Sequence, residues 1–184
     1  MHYAPDRSKI GRHFVALLGV IALCSGCGGE YQPSDEELRA VNALRAHGAK
    51  ITVKNKKHTE VFLAGTKIVD GELYHLKALP HLQLLNLQST GITDAGMEHV
   101  GRLKTLKRLT LQRSKITDAG LAHLSELKSL VELDLSGLPI TDVGLGHLHG
   151  LVNLEKIYFD RARTTQEGVY SLEDALPKAK VFAD

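Results

Sequence analysis

The sequence predicts an α/β solenoid: right-handed coils of strand and short helix, with a parallel sheet on the concave face and helices on the convex face. Three phrases carry the prediction, GITDAGMEHV at 91–100, KITDAGLAHL at 115–124 and PITDVGLGHL at 139–148, which recur with a period of 24 residues. Apolar residues before and inside each phrase keep the same spacing. Repetition at such a period is the signature of stacked structural units.

Each unit begins with a strand. Leu82 is followed by Leu85 and Leu87, and this alternation is typical of a strand with one buried face. The same step recurs along the chain: Leu106, Leu109, Leu111; Leu130, Leu133, Leu135; Leu154, Ile157, Phe159.

A short helix follows each strand. Ile92 precedes Thr93 and Asp94; Thr is a favourable N-cap, and Asp beside it suits the positive end of the helix dipole. Met97 and Val100 are then spaced to point inward, as are Leu121, Leu124, Leu145 and Leu148 in later units.

The pattern extends in both directions, so residues 58–177 are expected to form five repeats. The last repeat has Thr164 where the others have Ile, and Gln166 where they have Asp. Residues 178–184 are expected to form a C-terminal cap remnant, in which VFAD begins a sixth strand. Residues 34–57 are expected to form an N-terminal cap: a helix opened by a Ser34–Glu37 capping box, then a strand whose lysines deter edge pairing.

Stacking explains the repetition. One strand and one short helix cannot bury their shared apolar face alone, so each unit needs neighbours of the same shape. Parallel strands lie about 4.8 Å apart, whereas packed helices need roughly 8–10 Å. The stack is therefore expected to curve with its strands on the inside.

Residues 1–26 have the layout of a secretory signal. Basic residues precede an uncharged run of ten, 14–23, which is too short to span a bilayer. The following CSGC resembles the cleavage site of a bacterial lipoprotein, which implies lipid attachment at Cys27 and a linker over 27–33. The chain is then exported and lipid-anchored at the cell envelope, or secreted if Cys27 is unmodified. A redox pair or half zinc site at Cys24 and Cys27 is disfavoured, because no second cysteine pair exists to complete a zinc site and the pair abuts an apolar leader rather than a strand–helix junction.

The L-x-x-L-x-L pattern followed by ITDAGLxxL resembles the leucine-rich repeat family, in the short-helix type found in bacterial envelope proteins and beside F-boxes. The resemblance implies a non-catalytic binding module that contacts its ligand through the concave sheet. The position at which many such repeats carry Asn holds Thr66, Thr90, Ser114, Leu138 and Ala162. The first three hydroxyls are expected to bond the backbone of the neighbouring turn. An intracellular F-box-like adaptor is the alternative, disfavoured because only one helix precedes the repeats.

Charge and motifs exclude several functions. The net charge of +2 resides in residues 1–26, and the neutral remainder argues against nucleic-acid binding. No common hydrolase, metalloprotease or phosphate-loop motif occurs, so neither catalysis nor a cofactor is expected. A histidine column invites a metal hypothesis, but its members are expected on the helical side, where successive repeats lie roughly 8–10 Å apart, and this spacing argues against a shared ion. That column contains His75, His99, His123 and His147.

The strands' outward residues form the predicted ligand-binding face. They fall into three columns: Glu60, Leu84, Arg108, Glu132, Lys156; Phe62, Asn86, Thr110, Asp134, Tyr158; and Ala64, Gln88, Gln112, Ser136, Asp160. The binding candidates are the first two columns without Glu60, and Phe62, Leu84 and Tyr158 are the expected apolar anchors. Arg108, Glu132 and Lys156 are equally well interpreted as a cross-strand charge ladder. A protein ligand is expected first and a cell-wall polymer second, with the chain itself a monomer.

Overall fold

The structure is a computed structural model that describes residues 33–54 and 58–183. The predicted signal peptide, Cys27 and most of the linker lie outside these residues. No helix in the described part of the chain is long and apolar enough to cross a membrane.

Strands and helices alternate along the described chain. The strands are β1 Lys50–Lys54, β2 His58–Phe62, β3 Leu82–Asn86, β4 Arg108–Thr110, β5 Glu132–Asp134, β6 Lys156–Phe159 and β7 Lys180–Ala183. The α-helices are α1 Asp35–Ala46, α2 Asp94–Val100, α3 Asp118–Ala122, α4 Asp142–Gly146 and α5 Gln166–Ala175. The first repeat has a 3₁₀ helix, Asp70–Ala78, in place of an α-helix, and a second 3₁₀ turn spans Arg161–Arg163.

The strands form one sheet in chain order from β1 to β7. β1 is antiparallel to β2, and all later neighbours are parallel. Equivalent residues of successive repeats are paired directly, as Leu85 is with Leu109 and Leu109 with Leu133. The expected parallel sheet with short helices is confirmed. β7 lies where VFAD was expected to begin a further strand, which is the sixth when counted from β2, the strand of the first repeat.

The core is a set of apolar ladders inside the stack. Leu87, Leu111 and Leu135 lie on neighbouring coils and are fully buried. The isoleucines two residues before each helix-opening Asp and the inward leucines of the helices are buried as well: Ile68, Ile92, Ile116, Ile140, Leu121, Leu124, Leu145, Leu148. The periodicity therefore predicted the core correctly.

Helix α1 covers the first repeat. Ser34 Oγ accepts from the Glu37 N–H and a Glu37 carboxylate oxygen accepts from the Ser34 N–H, both at 3.1 Å, which confirms the capping box. Leu44 is fully buried against the repeat. At the other end of the helix, His47 Nε2 lies 3.2 Å from a carboxylate oxygen of Glu72.

Successive repeats are joined by an Asp–Thr clamp, in which the helix-opening Asp of one repeat accepts two hydrogen bonds from the Thr of the next. Asp118 Oδ1 accepts from the Thr141 N–H at 2.9 Å, and Asp118 Oδ2 accepts from the Thr141 hydroxyl at 2.5 Å. The same pair of bonds joins Asp70 to Thr93, Asp94 to Thr117 and Asp142 to Thr165. The Asp thus binds the neighbouring repeat, a role beyond the dipole interaction that its position predicted.

The clamp explains how the end repeats depart from the pattern. Val69 replaces Thr in the first repeat, where no earlier repeat supplies an Asp, and the 3₁₀ helix after it lacks a side-chain cap. Gln166 replaces Asp in α5, after which no further helix follows in the described chain. The first repeat thus lacks the Thr, and the last repeat lacks the Asp, for which the described residues contain no clamp partner.

The glycine of each phrase makes room for the clamp. A Cβ at Gly96, Gly120, Gly144 or Gly168 would lie 2.1–2.6 Å from the carboxylate Oδ1 of the preceding repeat's Asp. Real Cβ atoms do not approach so closely, so any side chain here must displace the carboxylate. Isoleucine, threonine, aspartate and glycine therefore each have a distinct packing role in the repeated phrase.

Thr164 leaves a polar group unsatisfied in the core of the last repeat. Its hydroxyl is buried and has no hydrogen-bond partner among the described residues. An unpaired buried hydroxyl costs about 1–3 kcal/mol, whereas a methyl group of the same size costs nothing there. We therefore expect Thr164→Val to raise the free energy of unfolding in urea by about 1 kcal/mol.

The adjacent residue provides the control for this prediction. The Thr165 hydroxyl donates to Asp142 at 2.7 Å and accepts from the Gly168 N–H at 3.1 Å. The same substitution, Thr165→Val, is expected to lower stability by about 1 kcal/mol. If the free energy of unfolding changed in the same direction in both variants, the assignment of Thr164 as an unsatisfied hydroxyl would be contradicted.

Candidate functional site

The candidate site is the concave face, defined as the side chains of β2–β6 and the residues just after them that point away from the helices. The register places the predicted columns side by side: Glu60 pairs with Leu84, Leu84 with Arg108, Arg108 with Glu132 and Glu132 with Lys156. Phe62, Asn86, Thr110, Asp134 and Tyr158 are paired in the same way. The structure brings all nine candidate residues together on one surface.

The first column contains one ion pair across two strands. Arg108 Nη2 lies 3.6 Å from Glu60 Oε1, so the guanidinium reaches past Leu84. The Glu60 side chain is only 11% exposed, whereas that of Arg108 is 52% exposed. Within the described residues no ion pair joins Arg108 to Glu132 or Glu132 to Lys156. The three residues alternate in sign as expected, but they do not form the contacts of a closed charge ladder.

The second column combines structural and free polar groups. Asn86 Oδ1 accepts from the Gln88 N–H, and Asp134 Oδ1 accepts from the Ser136 N–H, both at 2.9 Å. These side chains stabilise the turn after their own strands. Thr110 lies half-buried between them. Asn86 and Asp134 therefore keep only part of their hydrogen-bonding capacity for a ligand.

Aromatic residues stand at both ends of the second column. Phe62 is half-buried on β2. At the other end Tyr158 stacks on Phe182, with ring centroids 4.8 Å apart and planes 12° apart. Phe182 is 43% exposed and was missed as a site residue, although it follows Tyr158 by one repeat period. Its position 24 residues later was the signal that could have found it.

The third column lies at the rim of the sheet. Gln88 and Gln112 hydrogen-bond to each other through their side-chain amides. Asp160 Oδ2 accepts from the Gly137 N–H at 3.0 Å. Asp134 and Asp160, the carboxylates of neighbouring repeats on this face, thus both accept backbone hydrogen bonds.

The histidine column lies on the helices, away from the concave face. His99 belongs to α2, and His123 and His147 cap the ends of α3 and α4. In the first repeat, His75 Nε2 lies 3.7 Å from the carboxylate of Glu72. Across residues 33–54 and 58–183, no three His, Cys, Asp or Glu side chains are grouped to hold a metal ion.

Comparisons with known proteins agree with this geometry. The family model described as leucine rich repeat matches residues 80–140, which lie within the regular repeats. The chain is similar in fold to internalin C2 from Listeria monocytogenes, with a TM-score of 0.52 and 18% identity over 86% of this chain and 80% of that one. The chain has the leucine-rich repeat fold.

Two further solved structures show weaker similarity. The ectodomain of the receptor kinase SOBIR1 from Arabidopsis thaliana has a TM-score of 0.48 and 15% identity, covering 84% of this chain and 95% of that one. Internalin InlF from Listeria monocytogenes has a TM-score of 0.43 and 16% identity, covering 83% and 56%. No curated protein sequence matches the chain.

The hydroxyls at the asparagine position of these leucine-rich repeats act differently from the expectation. Thr66, Thr90 and Ser114 each donate at 2.7 Å to the carbonyl three residues earlier, within their own repeat. The prediction that these hydroxyls bond the backbone of the neighbouring turn is therefore wrong. A hydroxyl on Cβ is shorter than a carboxamide and reaches only the backbone of its own turn, so these hydroxyls do not connect neighbouring coils as the Asp–Thr clamp does.

Proposed function

We propose that this chain is a non-catalytic leucine-rich repeat module that binds a protein through its concave face at the bacterial cell envelope. The observation that supports this most strongly is the direct pairing of equivalent residues across the sheet, from Glu60 on β2 to Lys156 on β6. It aligns charged, polar and aromatic side chains over five strands without any enclosed chemical centre. A long, shallow and mixed surface suits a protein segment better than a small molecule, which needs a concave pocket.

The binding energy is expected to concentrate at a few positions. Phe62, Leu84 and Tyr158 supply apolar area, and the exposed ends of Arg108 and Lys156 supply charge. Aromatic and arginine residues dominate most protein interfaces because they combine large contact area with directed polar groups. The ends of the second column are therefore the anchors to test, and a cell-wall polymer is the alternative ligand class.

Capture of a ligand tests the face. Immobilised wild-type chain and a Phe62→Ala, Tyr158→Ala double variant would be incubated with bacterial envelope extract, and the retained proteins quantified. We expect the double variant to reduce specific capture about tenfold, equivalent to about 1.4 kcal/mol. A matched control is Val143→Ala with Tyr170→Ala, because these two exposed apolar side chains lie on the helices. Equal loss in both variants, or none in the first, would contradict binding through the concave face.

Lipid anchoring is tested separately. The full chain would be expressed in a bacterial host fed an alkyne fatty acid, and labelling of the protein measured. We expect label on the wild type, on the matched Cys24→Ser control, and none on Cys27→Ser. An unlabelled protein that remains inside the cell would favour the intracellular adaptor.

A further inference from the structure

We propose that the outer edge of β7 binds an extended segment of another protein as an additional strand, and that this segment carries an acidic residue two positions before an aromatic one. This surface lies at the end of the sheet, so the proposal does not rest on ligand binding by the concave face. The proposal rests on the backbone of β7, on the partly covered core beneath it, and on the outward side chains of Lys180 and Phe182.

The backbone of β7 offers hydrogen bonds at its outer edge. The Lys180 N–H donates to the Glu155 carbonyl at 2.8 Å, towards β6. Because backbone groups alternate in direction along a strand, the N–H and C=O groups of Val181 and Ala183 point the other way. Within the described residues β7 pairs with β6 alone. A free strand edge of this kind is a template for strand addition.

The core beneath β7 is only partly covered. Val181 and Ala183 are half-buried, whereas their neighbours on β6, Ile157 and Phe159, are 0% and 2% exposed. In each earlier repeat the following strand completes the burial. An added strand would cover the two β7 side chains in the same way, and its apolar inward residues would gain the hydrophobic contact.

The outward side chains of β7 define the chemistry of the partner. Lys180 pairs with Lys156 and extends the first column, so this column ends in two neighbouring lysines, with no carboxylate beyond them among the described residues. Phe182 extends the second column and presents a ring that is 43% exposed. Directly opposed pairs across strands favour opposite charges and aromatic contacts. The best partner therefore places an acidic residue opposite Lys180 and an aromatic residue opposite Phe182.

A second copy of the chain fits this edge less well. Both edges of the sheet carry lysines, with Lys50 on β1 and Lys180 on β7. Joining two β7 edges, or β7 to β1, would collect these charges at one junction without a facing carboxylate. Like charges in such positions destabilise strand pairing.

The chain itself supplies a suitable probe sequence. Residues 59–64 read TEVFLA, and in β2 the Glu and the Phe occupy the first and second columns. A fluorescein-labelled TEVFLA peptide, titrated with the full protein and followed by anisotropy, is expected to bind. A TKVSLA peptide, which lacks both recognition groups, is expected to bind about tenfold more weakly. A TEVFLA peptide N-methylated at the Glu and Phe amides, which would face β7, is expected to lose binding to a similar degree.

Protein variants localise the binding. Val181→Pro removes an outward donor while leaving the bonds to β6, and is expected to weaken TEVFLA binding about tenfold. Lys180→Glu is expected to weaken TEVFLA and to restore affinity for TKVFLA, an exchange that loss of folding cannot produce. Val143→Ala on α4 is the matched control and is expected to bind as the wild type does.

Three results would overturn the proposal. The first is no change in the anisotropy of TEVFLA when the wild-type protein is added. The second is that N-methylated TEVFLA binds as tightly as TEVFLA. The third is that the wild type and Lys180→Glu do not differ in their affinities for TEVFLA and TKVFLA. Light scattering provides a fourth. A dimer that Val181→Pro dissociates would mean that a second copy occupies the edge.

Discussion

Replacing Asp118 with alanine is expected to lower the free energy of unfolding by about 2–3 kcal/mol, because it removes both bonds of a central Asp–Thr clamp. The carboxylate accepts from the Thr141 N–H at 2.9 Å and from the Thr141 hydroxyl at 2.5 Å. Hydrogen bonds to a charged group contribute about 1.5–3 kcal/mol each when buried, and less when partly exposed, as here. Equilibrium unfolding in urea measures the change.

Asparagine separates the two bonds of the clamp. In Asp118→Asn the amide oxygen can still accept from the Thr141 N–H, but the amide nitrogen replaces the oxygen that accepted from the hydroxyl. The charge is also lost. We therefore expect about half the effect of alanine, roughly 1–1.5 kcal/mol.

The control is removal of a carboxylate outside the clamp. Asp174 lies exposed on α5, and Asp174→Ala is expected to change stability by no more than about 0.5 kcal/mol. If Asp118→Ala matches this control, the clamp does not stabilise the junction between repeats. If asparagine and alanine at position 118 have equal effects, the bond from the N–H contributes nothing.

The sequence predicted the core because the spacing of apolar residues shows which side of the chain faces inward. Leu85, Leu109 and Leu133 keep the same phase through three repeats, and all three are buried. The columns of the concave face followed from the same alternation. Phe182 follows the same alternation, but it was not assigned to a column because it lies in the short segment after the last full repeat.

The clamp was not predicted because its partners lie 23 residues apart in the chain and meet only after stacking. Within one repeat, Asp118 beside Thr117 looks like an ordinary helix start. The signal was available at the ends of the array, where Val69 and Gln166 replace the Thr and the Asp that have no partner. The direction of the hydroxyl bonds at Thr66, Thr90 and Ser114 left no such mark, because both possible acceptors are backbone carbonyls.

Replacing Gly168 with alanine is expected to lower the free energy of unfolding by about 2 kcal/mol, although alanine is normally the better helix former by about 1 kcal/mol. A Cβ here would lie 2.1 Å from Asp142 Oδ1 and 2.4 Å from its Cγ. The added methyl group must displace the carboxylate, which loses its two bonds to Thr165. Thermal and urea unfolding measure the loss.

A double-mutant cycle isolates the cause, because the three atoms nearest to that Cβ all belong to Asp142. Asp142→Ala alone is expected to cost about 2 kcal/mol, as it abolishes the clamp. The double variant is expected to be no less stable than Asp142→Ala, because the space is then free and alanine favours the helix. The coupling between the two sites is thus about 2 kcal/mol. Additive losses of about 4 kcal/mol would contradict the steric argument.

Gly146 provides the matched control for the cycle. It lies in the neighbouring helix α4, and a Cβ there would meet no heavy atom within 4 Å. Gly146→Ala is therefore expected to raise stability by about 0.5 kcal/mol through helix propensity alone. Opposite signs for the same substitution in adjacent helices would show that the glycine of the repeated phrase is retained for the approach of a carboxylate. A loss at Gly146 as large as that at Gly168 would instead point to a general intolerance of alanine in these short helices.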